Sequence, residues 1–232
     1  MTHPSKHDFR QYAPATERNR LPILEVLQRV LPHGTKPSST TPSIHHQGGL
    51  NPSGTVLEIA SGTGEHITFF ASQLTHLQWI ATEPQALGRK SIQAWVEALS
   101  VENVRLPPLS LDVSCEPWPV EVNFPLVAPI TAIININMIH ISPWAMCTHL
   151  MAGAQRILPT GGVLYLYGPF QRDGIAFAPS NEAFDRMLRD RDSRWGIRNL
   201  AAVQAIAQQH SLQLTEVIEM PANNLSVVFT RQ

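Results

Sequence analysis

One short stretch of the chain, residues 55–64, combines residue types that suit ligand binding. Residues 55–60 read Thr-Val-Leu-Glu-Ile-Ala, an apolar run with one acid, Glu58, and they lead into the turn Ser61-Gly62-Thr63-Gly64. Apolar side chains then recur at helical spacing as far as Leu74, which predicts a buried strand, a tight loop and a helix. Glycine in the loop lets a ligand approach the backbone. Glu58 would repel a pyrophosphate, so a cationic ligand that carries an amino acid fits better.

The spacing Glu-x-Ala-x-Gly-x-Gly in this stretch resembles the first motif of class I methyltransferases that depend on S-adenosylmethionine (SAM). The competing interpretation is a dinucleotide loop of the Gly-x-Gly-x-x-Gly type. A fingerprint that began at Gly62 would need glycine at position 67, where the chain has Ile67, so the match to an NAD site is poorer. The residues of this stretch that we expect to bind the cofactor are Glu58, Ala60, Ser61, Gly62 and Gly64.

Acidic residues also lie where the next two predicted strands end. Glu83 ends the second strand and Asp112 the third. Ligands of doubly wound sheets bind beyond the carboxyl ends of the strands, so we expect both side chains in one cleft. Glu83 is suited to accept hydrogen bonds from both ribose hydroxyls, and Asp112 from the exocyclic amine of adenine, with Val113 beside the ring. Pro84 is included with Glu83 in the predicted cofactor site.

The ends of the fourth and fifth predicted strands carry the candidate catalytic residues. The fourth ends in Asn135-Ile136-Asn137-Met138-Ile139-His140, opposite the expected sulfonium, and Asn137 is predicted to contact the cofactor. His140 is a candidate general base, because an unperturbed histidine titrates near ~6.5. A histidine that packs against the cofactor, or caps the next helix, is an equally open alternative. Tyr167, at the end of the fifth strand, is predicted to line the acceptor pocket.

The N-terminal segment contributes two further candidates. Tyr12 and Arg18 are predicted to close over the methionine carboxylate of the cofactor. Arginine suits that role because its planar fork binds a carboxylate through two hydrogen bonds. A surface ion pair with Glu17 is an equally open alternative for Arg18. Asn19 is interpreted as a helix cap, ahead of an apolar helical face over residues 23–31.

A sheet is needed to bring these residues together, and the chain alternates strand and helix patterns beyond the glycine loop. Further strands are predicted at 77–82, 104–111, 131–137 and 163–167, and helices at 85–99 and 144–158. Such repeats imply a mostly parallel sheet with helices on both faces. Two alternating segments, 213–220 and 225–230, predict a terminal β-hairpin. The predicted fold class is α/β, a Rossmann-like class I methyltransferase fold with a mostly parallel seven-stranded sheet and a C-terminal antiparallel hairpin.

The predicted organisation is one SAM-binding domain over residues 1–232. It consists of an N-terminal arm and helix at 1–31, a flexible linker at 32–54 and a catalytic core at 55–232; proline, glycine, serine and threonine are frequent in the linker. Residues 180–198 mix basic and acidic side chains closely. That pattern is typical of a solvated helix face, and a lid over the acceptor is the alternative.

The composition indicates a globular chain with little net charge. Of 232 residues, 43% are hydrophobic and 15% charged, and the formal net charge is −1. No overall field favours nucleic acid or an anionic membrane. Cys115 and Cys147 are predicted to be reduced core thiols, and two cysteines alone cannot make a zinc site, so no metal is predicted. The sequence shows no apolar leader and no run near the ~20 residues of a membrane span, so we expect a cytoplasmic protein.

Several longer strings extend the resemblance over nearly the whole chain outside the linker. They look like the domain-of-unknown-function 938 family. The strings are Ala15-Thr16-Glu17-Arg18-Asn19-Arg20-Leu21-Pro22-Ile23-Leu24, Asn137-Met138-Ile139-His140-Ile141-Ser142-Pro143, Tyr167-Gly168-Pro169-Phe170, Ser180-Asn181-Glu182-Ala183-Phe184-Asp185, Trp195-Gly196-Ile197-Arg198 and Met220-Pro221-Ala222-Asn223-Asn224. The resemblance implies a class I fold and SAM binding, with S-adenosylhomocysteine (SAH) as product. It does not supply a substrate.

The function expected from these observations is methyl transfer from SAM to a small molecule, at oxygen or nitrogen. Displacement at a sulfonium needs mainly positioning and a deprotonated acceptor. The Asn-Pro-Pro-Tyr motif of methyltransferases that act on amino groups of nucleic acids is absent from the fourth strand end. With the small net charge, this favours a small molecule over DNA or RNA. An NAD-dependent oxidoreductase on a similar sheet and a SAM-binding protein without turnover remain the alternatives.

Overall fold

A computed structural model describes residues 8–32, 52–122 and 124–232 of the chain. Most of the predicted linker, residues 33–51, lies outside the described residues, as does the start of the predicted arm, residues 1–7. Within the described ranges, no helix is both long and apolar enough to cross a lipid bilayer.

The strands form one large sheet and one small one. They are β1 (Thr55–Ile59), β2 (Gln78–Thr82), β3 (Val104–Leu109), β4 (Ile130–Ile136), β5 (Val163–Gly168), β6 (Phe170–Gln171), β7 (Arg198–Asn199), β8 (Leu212–Met220) and β9 (Asn224–Arg231). In the described residues the large sheet has seven strands in the order β3-β2-β1-β4-β5-β9-β8. Strands β1 to β5 are parallel, whereas β9 is antiparallel to both β5 and β8. The predicted mostly parallel sheet with its terminal hairpin is confirmed.

Helices cover both faces of the large sheet. They are α1 (Pro14–Val30), α2 (Glu65–Gln73), α3 (Ala86–Leu99), α4 (Ala145–Ile157), α5 (Pro179–Arg191) and α6 (Leu200–Gln209). One core cluster joins Ile23 of α1, Phe70 of α2 and Ile92 of α3 to one face of the sheet. The other cluster joins Leu150 of α4 and Val203 of α6 to the opposite face. The side chains of successive strand residues point to opposite faces of the sheet, so the same strands contribute residues to both clusters.

The N-terminal helix begins earlier than the sequence predicts. Asn19 is not its cap: α1 starts at Pro14, with the extended residue Ala13 before it. Proline suits the first helical position, because its fixed φ is already helical and the N–H that it lacks would have no intrahelical partner. Asn19 instead lies buried inside the helix, where its Oδ1 is 2.7 Å from Nε2 of His66 and its side chain lies near the hydroxyl of Tyr167. It therefore ties α1 to α2 and β5.

Two further differences have local causes. Strand β3 ends at Leu109, short of the predicted 111, and it accommodates Pro107 and Pro108 because it forms an edge of the sheet. Helix α6 was not predicted. Its signals are a capping side chain, Asn199, which accepts a 3.1 Å hydrogen bond from the backbone N–H of Ala202, and an apolar face that starts at Leu200.

The contact between α4 and the buried ring of Trp118 gives a test of this packing. A Cβ added at Gly153 would lie 2.1 Å from Cζ2 of Trp118. Alanine in place of a helical glycine normally stabilises by roughly 0.5–1 kcal/mol, whereas overpacking costs about 1–3 kcal/mol. We therefore expect Gly153→Ala to lower the free energy of unfolding by about 1–2 kcal/mol in urea denaturation.

The control is the same substitution in a Trp118→Leu background, where the clash is relieved and the alanine should be neutral or stabilising. A Gly153→Ala protein that is more stable than the parent in the Trp118 background would contradict this packing.

Candidate functional site

A cleft of about 630 Å³ opens where β1, β2, β3 and β4 end. Strand β1 lies between β2 and β4. The strands that follow β1 in the chain are therefore added first on one side of it and then on the other, and this reversal leaves a crevice at the carboxyl end of β1. The volume is in the range of small-molecule sites. The predicted cofactor residues that line the cleft are Ala60, Gly62, Glu83, Pro84, Asp112 and Val113.

The glycine loop offers bare backbone to the cleft at one position. Gly62 has a φ of +56°, and an added Cβ there would meet no heavy atom within 4 Å. Gly64 has a different environment: it caps α2 with a φ of +91°, and its Cβ would lie 2.7 Å from the Cα of Ile92. Gly62 therefore leaves room for a ligand, while Gly64 allows α3 to approach the loop and does not line the cleft.

A buried carboxylate connects the end of β2 to this loop. Oε2 of Glu83 accepts a 3.1 Å hydrogen bond from the N–H of Gly62, and Oε1 accepts a 3.0 Å bond from the N–H of Gln85. Gly88, in the first turn of α3, makes this arrangement possible, because a Cβ there would lie 2.6 Å from Cγ of Glu83. Gly88 lines the cleft and was not predicted. The feature of the sequence that could have indicated Gly88 is its position about one helical turn after Glu83, the acidic residue that ends β2.

The end of β3 presents a second carboxylate. Oδ1 of Asp112 accepts hydrogen bonds from the backbone N–H (2.9 Å) and the hydroxyl (2.7 Å) of Ser114. These bonds lower the pKa of Asp112 below its ordinary value, so the side chain is ionised at neutral pH. Val113 is buried next to it and also lines the cleft.

Three predicted cofactor residues lie beneath the cleft rather than in its lining. Glu58 is almost fully buried in β1, and burial raises the pKa of its carboxyl to about 7. Its Oε2 has no hydrogen-bond partner among the described residues. Ser61 is buried, and its N–H donates to the carbonyl of Thr82 at 2.7 Å. Asn137, with a φ of +64°, turns the chain after β4.

His140 does not reach the cleft, which corrects its interpretation as a base that faces the acceptor. Its side chain is completely buried, and its ring lies edge-on to Phe170 with centroids 4.9 Å apart. Burial, together with the charge of Arg198, lowers the pKa of His140 to about 3, so the imidazole is neutral. A Cβ on Gly168 would lie 2.4 Å from Nε2, so the backbone of β5 covers the ring.

Tyr167 is also buried below the cleft. Its side chain faces the core cluster of α1 and α2, and burial raises the pKa of its hydroxyl. The side chain of Asn19 lies near this hydroxyl and counteracts part of that rise in pKa. In this position Tyr167 fixes α1 to the sheet and does not line the cleft.

The N-terminal arm reaches the cleft through a residue that was not predicted. Gln11 lines the cleft; its N–H donates to Oγ of Ser91 at 2.8 Å, and its carbonyl accepts from Nε1 of Trp95 at 2.9 Å. Tyr12 is 63% exposed and packs edge-on against Trp95, while Arg18 is exposed on α1. Neither of these two lines the cleft.

The far wall of the cleft comes from two other segments. One is the turn after β4, residues 138–146, and the other is the loop after α5, residues 192–195. The second lies inside the charged stretch 180–198, whose helix α5 buries little apart from Asn181 and Leu188. Its contribution to the wall depends on long-range folding, so no local pattern could have placed it there. The lining residues from these segments are Met138, Ile141, Ser142, Pro143, Met146, Asp192, Arg194 and Trp195.

Comparison with known proteins gives a family and a fold. The family described as "Protein of unknown function (DUF938)" matches residues 10–231. Among solved structures, an O-methyltransferase family protein from Burkholderia thailandensis is similar at 11% identity and a TM-score of 0.68, over 94% of this chain and 57% of that one. An O-methyltransferase family 2 protein from Planctomyces limnophilus DSM 3776, in complex with apigenin, is similar at 17% identity and 0.67, over 92% and 62%.

A third similar structure is CalO1, a methyltransferase in calicheamicin biosynthesis, in its SAH-bound form. It is 13% identical with a TM-score of 0.62, over 92% of this chain and 54% of that one. This chain therefore spans little more than half the length of the structures that it matches. At these identities the likeness shows the fold, which is the Rossmann-like methyltransferase fold.

The contact between α3 and Glu83 gives a prediction about binding. Gly88→Ala places a Cβ against Cγ of Glu83 and 3.1 Å from the carbonyl of Gly62, so the carboxylate must shift. We expect the affinity for SAH, measured by calorimetry, to fall about tenfold or more, as for loss of a hydrogen bond to a charged group. Gly54→Ala is the matched control, since its Cβ would meet Thr131 just before β1 begins, at the opposite end of that strand from the cleft, and it should leave the affinity unchanged. Parental affinity in Gly88→Ala would show that SAH does not depend on Glu83.

The buried Glu58 gives a prediction about pH. Burial raises the pKa of its carboxyl from 4.5 to about 7. The native state therefore binds more protons than the unfolded state between these values, and Glu58 destabilises the parent increasingly as pH rises from about 4.5 to 7. Glu58→Gln does not titrate, so its stability relative to the parent should rise over this window by on the order of 3 kcal/mol.

The measurement is urea denaturation of both proteins at a series of pH values. Glu102→Gln is the control, since it removes the same charge from an exposed position. A stability difference between Glu58→Gln and the parent that stays constant from pH 4.5 to 7 would contradict the raised pKa of Glu58.

Proposed function

The chain belongs to the DUF938 family of proteins of unknown function, and we propose that it is a methyltransferase that uses SAM to methylate a small molecule at oxygen or nitrogen. The observation that carries the proposal is the carboxylate of Glu83 held against the backbone N–H of Gly62 at 3.1 Å. This pair puts a hydrogen-bond acceptor beside a glycine, where a ligand can approach the backbone. It lies at the point where the strand order of a doubly wound sheet reverses, which is where such sheets bind ligands.

The groups around this pair fit each part of SAM. The carboxyl of Glu83 has lone pairs for a ribose diol, and that of Asp112 for an exocyclic amine beside the apolar Val113. The open space at Gly62 suits the methionine chain. Under the loop, Glu58 carries an oxygen without a partner among the described residues, and a cationic ligand nearby would favour its ionised form.

These residues act by holding and orienting the reactants. Bound SAM would supply an electrophilic methyl group on a sulfonium. Glu83 and Asp112 fix the nucleoside end, and Gln11 of the arm also lines the cleft. The turn after β4 and the loop at 192–195 form the opposite wall, where an acceptor would be oriented and shielded from water. Orientation of this kind supplies a large part of the barrier reduction in displacement reactions.

A small-molecule acceptor is supported by the dimensions of the cleft and by one similar structure. The cleft holds about 630 Å³, the scale of a cofactor with a small ligand. The similar protein from Planctomyces limnophilus is in complex with apigenin, a small molecule.

A SAM-binding protein without turnover is the second candidate. It is favoured by the burial of His140 and Tyr167, the two residues predicted to act on the acceptor. With both of them buried, the residues assigned above bind only the cofactor. An NAD-dependent oxidoreductase is disfavoured, since Ile67 stands fully buried in α2 where a dinucleotide loop would have its third glycine. Transfer of a labelled methyl group into a cell extract separates the enzyme from the binder.

The cofactor assignment predicts the effect of removing each carboxylate. Glu83→Ala and Asp112→Ala should each weaken SAH binding by about 1.5–3 kcal/mol, or roughly tenfold or more, because each loses a hydrogen bond to a charged group. Calorimetry with SAH measures this, and Glu25→Ala, exposed on α1, is the control. Unchanged affinity in both variants, or tight binding of NAD by the parent, would overturn the assignment.

A further inference from the structure

We propose that the wall of the cleft opposite the cofactor residues is an acceptor pocket for an apolar small molecule, and that Arg198 is the residue that positions this wall. The inference rests on the proposed function and names its substrate class. The two segments of the wall are the turn after β4 and the loop at 192–195, defined above as residues that line the cleft.

The lining of this half is largely apolar. Met138, Ile141 and Met146 come from the turn after β4 and the start of α4, and Trp195 faces them from the loop. Methionine and tryptophan offer large, adaptable apolar contacts, and thioether sulfur packs favourably against aromatic rings. The charged side chains on this wall, Asp192 and Arg194, already pair with each other at 2.7 Å. The pocket therefore offers contact area to an apolar ring or chain.

The mouth of the pocket leaves apolar surface in water. Ile141 is 45% exposed, and Trp144, which follows the turn, is 37% exposed. Leu87, on the cofactor side of the cleft, is 64% exposed and also lines it. Apolar surface at the rim of a cleft favours occupancy by an apolar ligand, because the ligand removes that surface from water.

Arg198 holds the two segments of this wall in a fixed relation. Its Nε donates to the carbonyl of Ile139 at 2.9 Å, and its Nη2 donates to the carbonyls of Ser142 at 2.6 Å and Arg194 at 2.9 Å. The guanidinium also lies 5.5 Å from the centroid of the Trp144 ring. One side chain thus binds the turn after β4 and the loop at 192–195 at once.

Arginine is suited to this role in a way that lysine is not. The planar fork donates several hydrogen bonds in fixed directions and stacks on an aromatic ring, whereas an ammonium is a compact charge. A backbone bond from the N–H of Gly196 to the carbonyl of His140, at 2.9 Å, supports the same junction. His140 thus contributes to the wall through its backbone, while its ring is buried beneath.

The transfer itself fixes what the pocket must present. A lone pair on the acceptor's oxygen or nitrogen forms the new bond to the methyl carbon as the carbon–sulfur bond breaks. The electron pair of that bond stays on sulfur, which gives neutral thioether SAH. The proton of the acceptor passes to water. Arg198 touches none of these atoms and acts by holding the backbone carbonyls of Ile139, Ser142 and Arg194 in place.

The substrate class is tested with methyl-labelled SAM and a whole-cell extract, followed by partition between ethyl acetate and water. We expect the label in the organic phase, with a rate proportional to the amount of protein. Label in protein, in nucleic acid, in a methylated product that chromatography separates from SAM in the aqueous phase, or in no product would overturn the apolar pocket. Failure of the parent to bind SAH in calorimetry would instead remove the proposed function, so the two failures are distinguishable.

The wall is tested with Ile141→Asp, which puts a charge at the partly exposed mouth without disturbing the core. Organic-phase transfer should fall about tenfold while SAH affinity stays within about twofold of the parent. Leu99→Asp, an exposed apolar residue outside the cleft, is the matched control. Parental transfer by Ile141→Asp would overturn the acceptor pocket.

Arg198 is tested with Arg198→Met and Arg198→Lys, and with Arg191→Met as an exposed control on α5. Organic-phase transfer should fall about tenfold in the methionine variant and be partly restored in the lysine variant, with SAH affinity close to parental. Loss of SAH affinity in parallel with transfer would indicate general unfolding and overturn the positioning role. So would parental transfer by the methionine variant.

Discussion

The hydrogen bond between Glu83 and the N–H of Gly62 is the contact on which the candidate site depends. It joins the end of β2 to the loop after β1, and it holds a carboxylate next to bare backbone. Two glycines make it possible: Gly64 lets Ile92 of α3 approach the loop, and Gly88 leaves space for Cγ of Glu83. A side chain at either position would separate α3 from the loop. Close packing of one helix is therefore what shapes the cofactor half of the cleft.

The two halves of the cleft are built in different ways. The cofactor half comes from strand ends and the residues directly after them, so short segments determine it. The acceptor half combines the turn after β4 with a loop that follows α5, and Arg198 connects them through three backbone carbonyls. This division places the proposed cofactor site on the sheet. The shape of the acceptor wall depends on contacts between segments that are distant in the sequence.

The same division explains how far the sequence could predict the structure. The alternating strand and helix patterns and the acidic strand ends are local signals, so the mostly parallel sheet with its terminal hairpin and the positions of Glu83 and Asp112 at the cleft followed from them. His140 and Tyr167 also end strands, but their side chains point into the core, and only the packing of Phe170 and Asn19 against them decides that. The loop at 192–195 resembled a solvated charged segment, because nothing local shows that it folds back to the cleft.

The identity of the ligand that the protein carries tests the central claim most directly. The protein would be purified without added ligand, unfolded, and the released small molecules measured by mass spectrometry against protein concentration. A site built on Glu83, Asp112 and Gly62 should release SAM or SAH, in an amount that Glu83→Ala lowers. Release of a nicotinamide dinucleotide, or no SAM or SAH even after incubation with SAM, would contradict it.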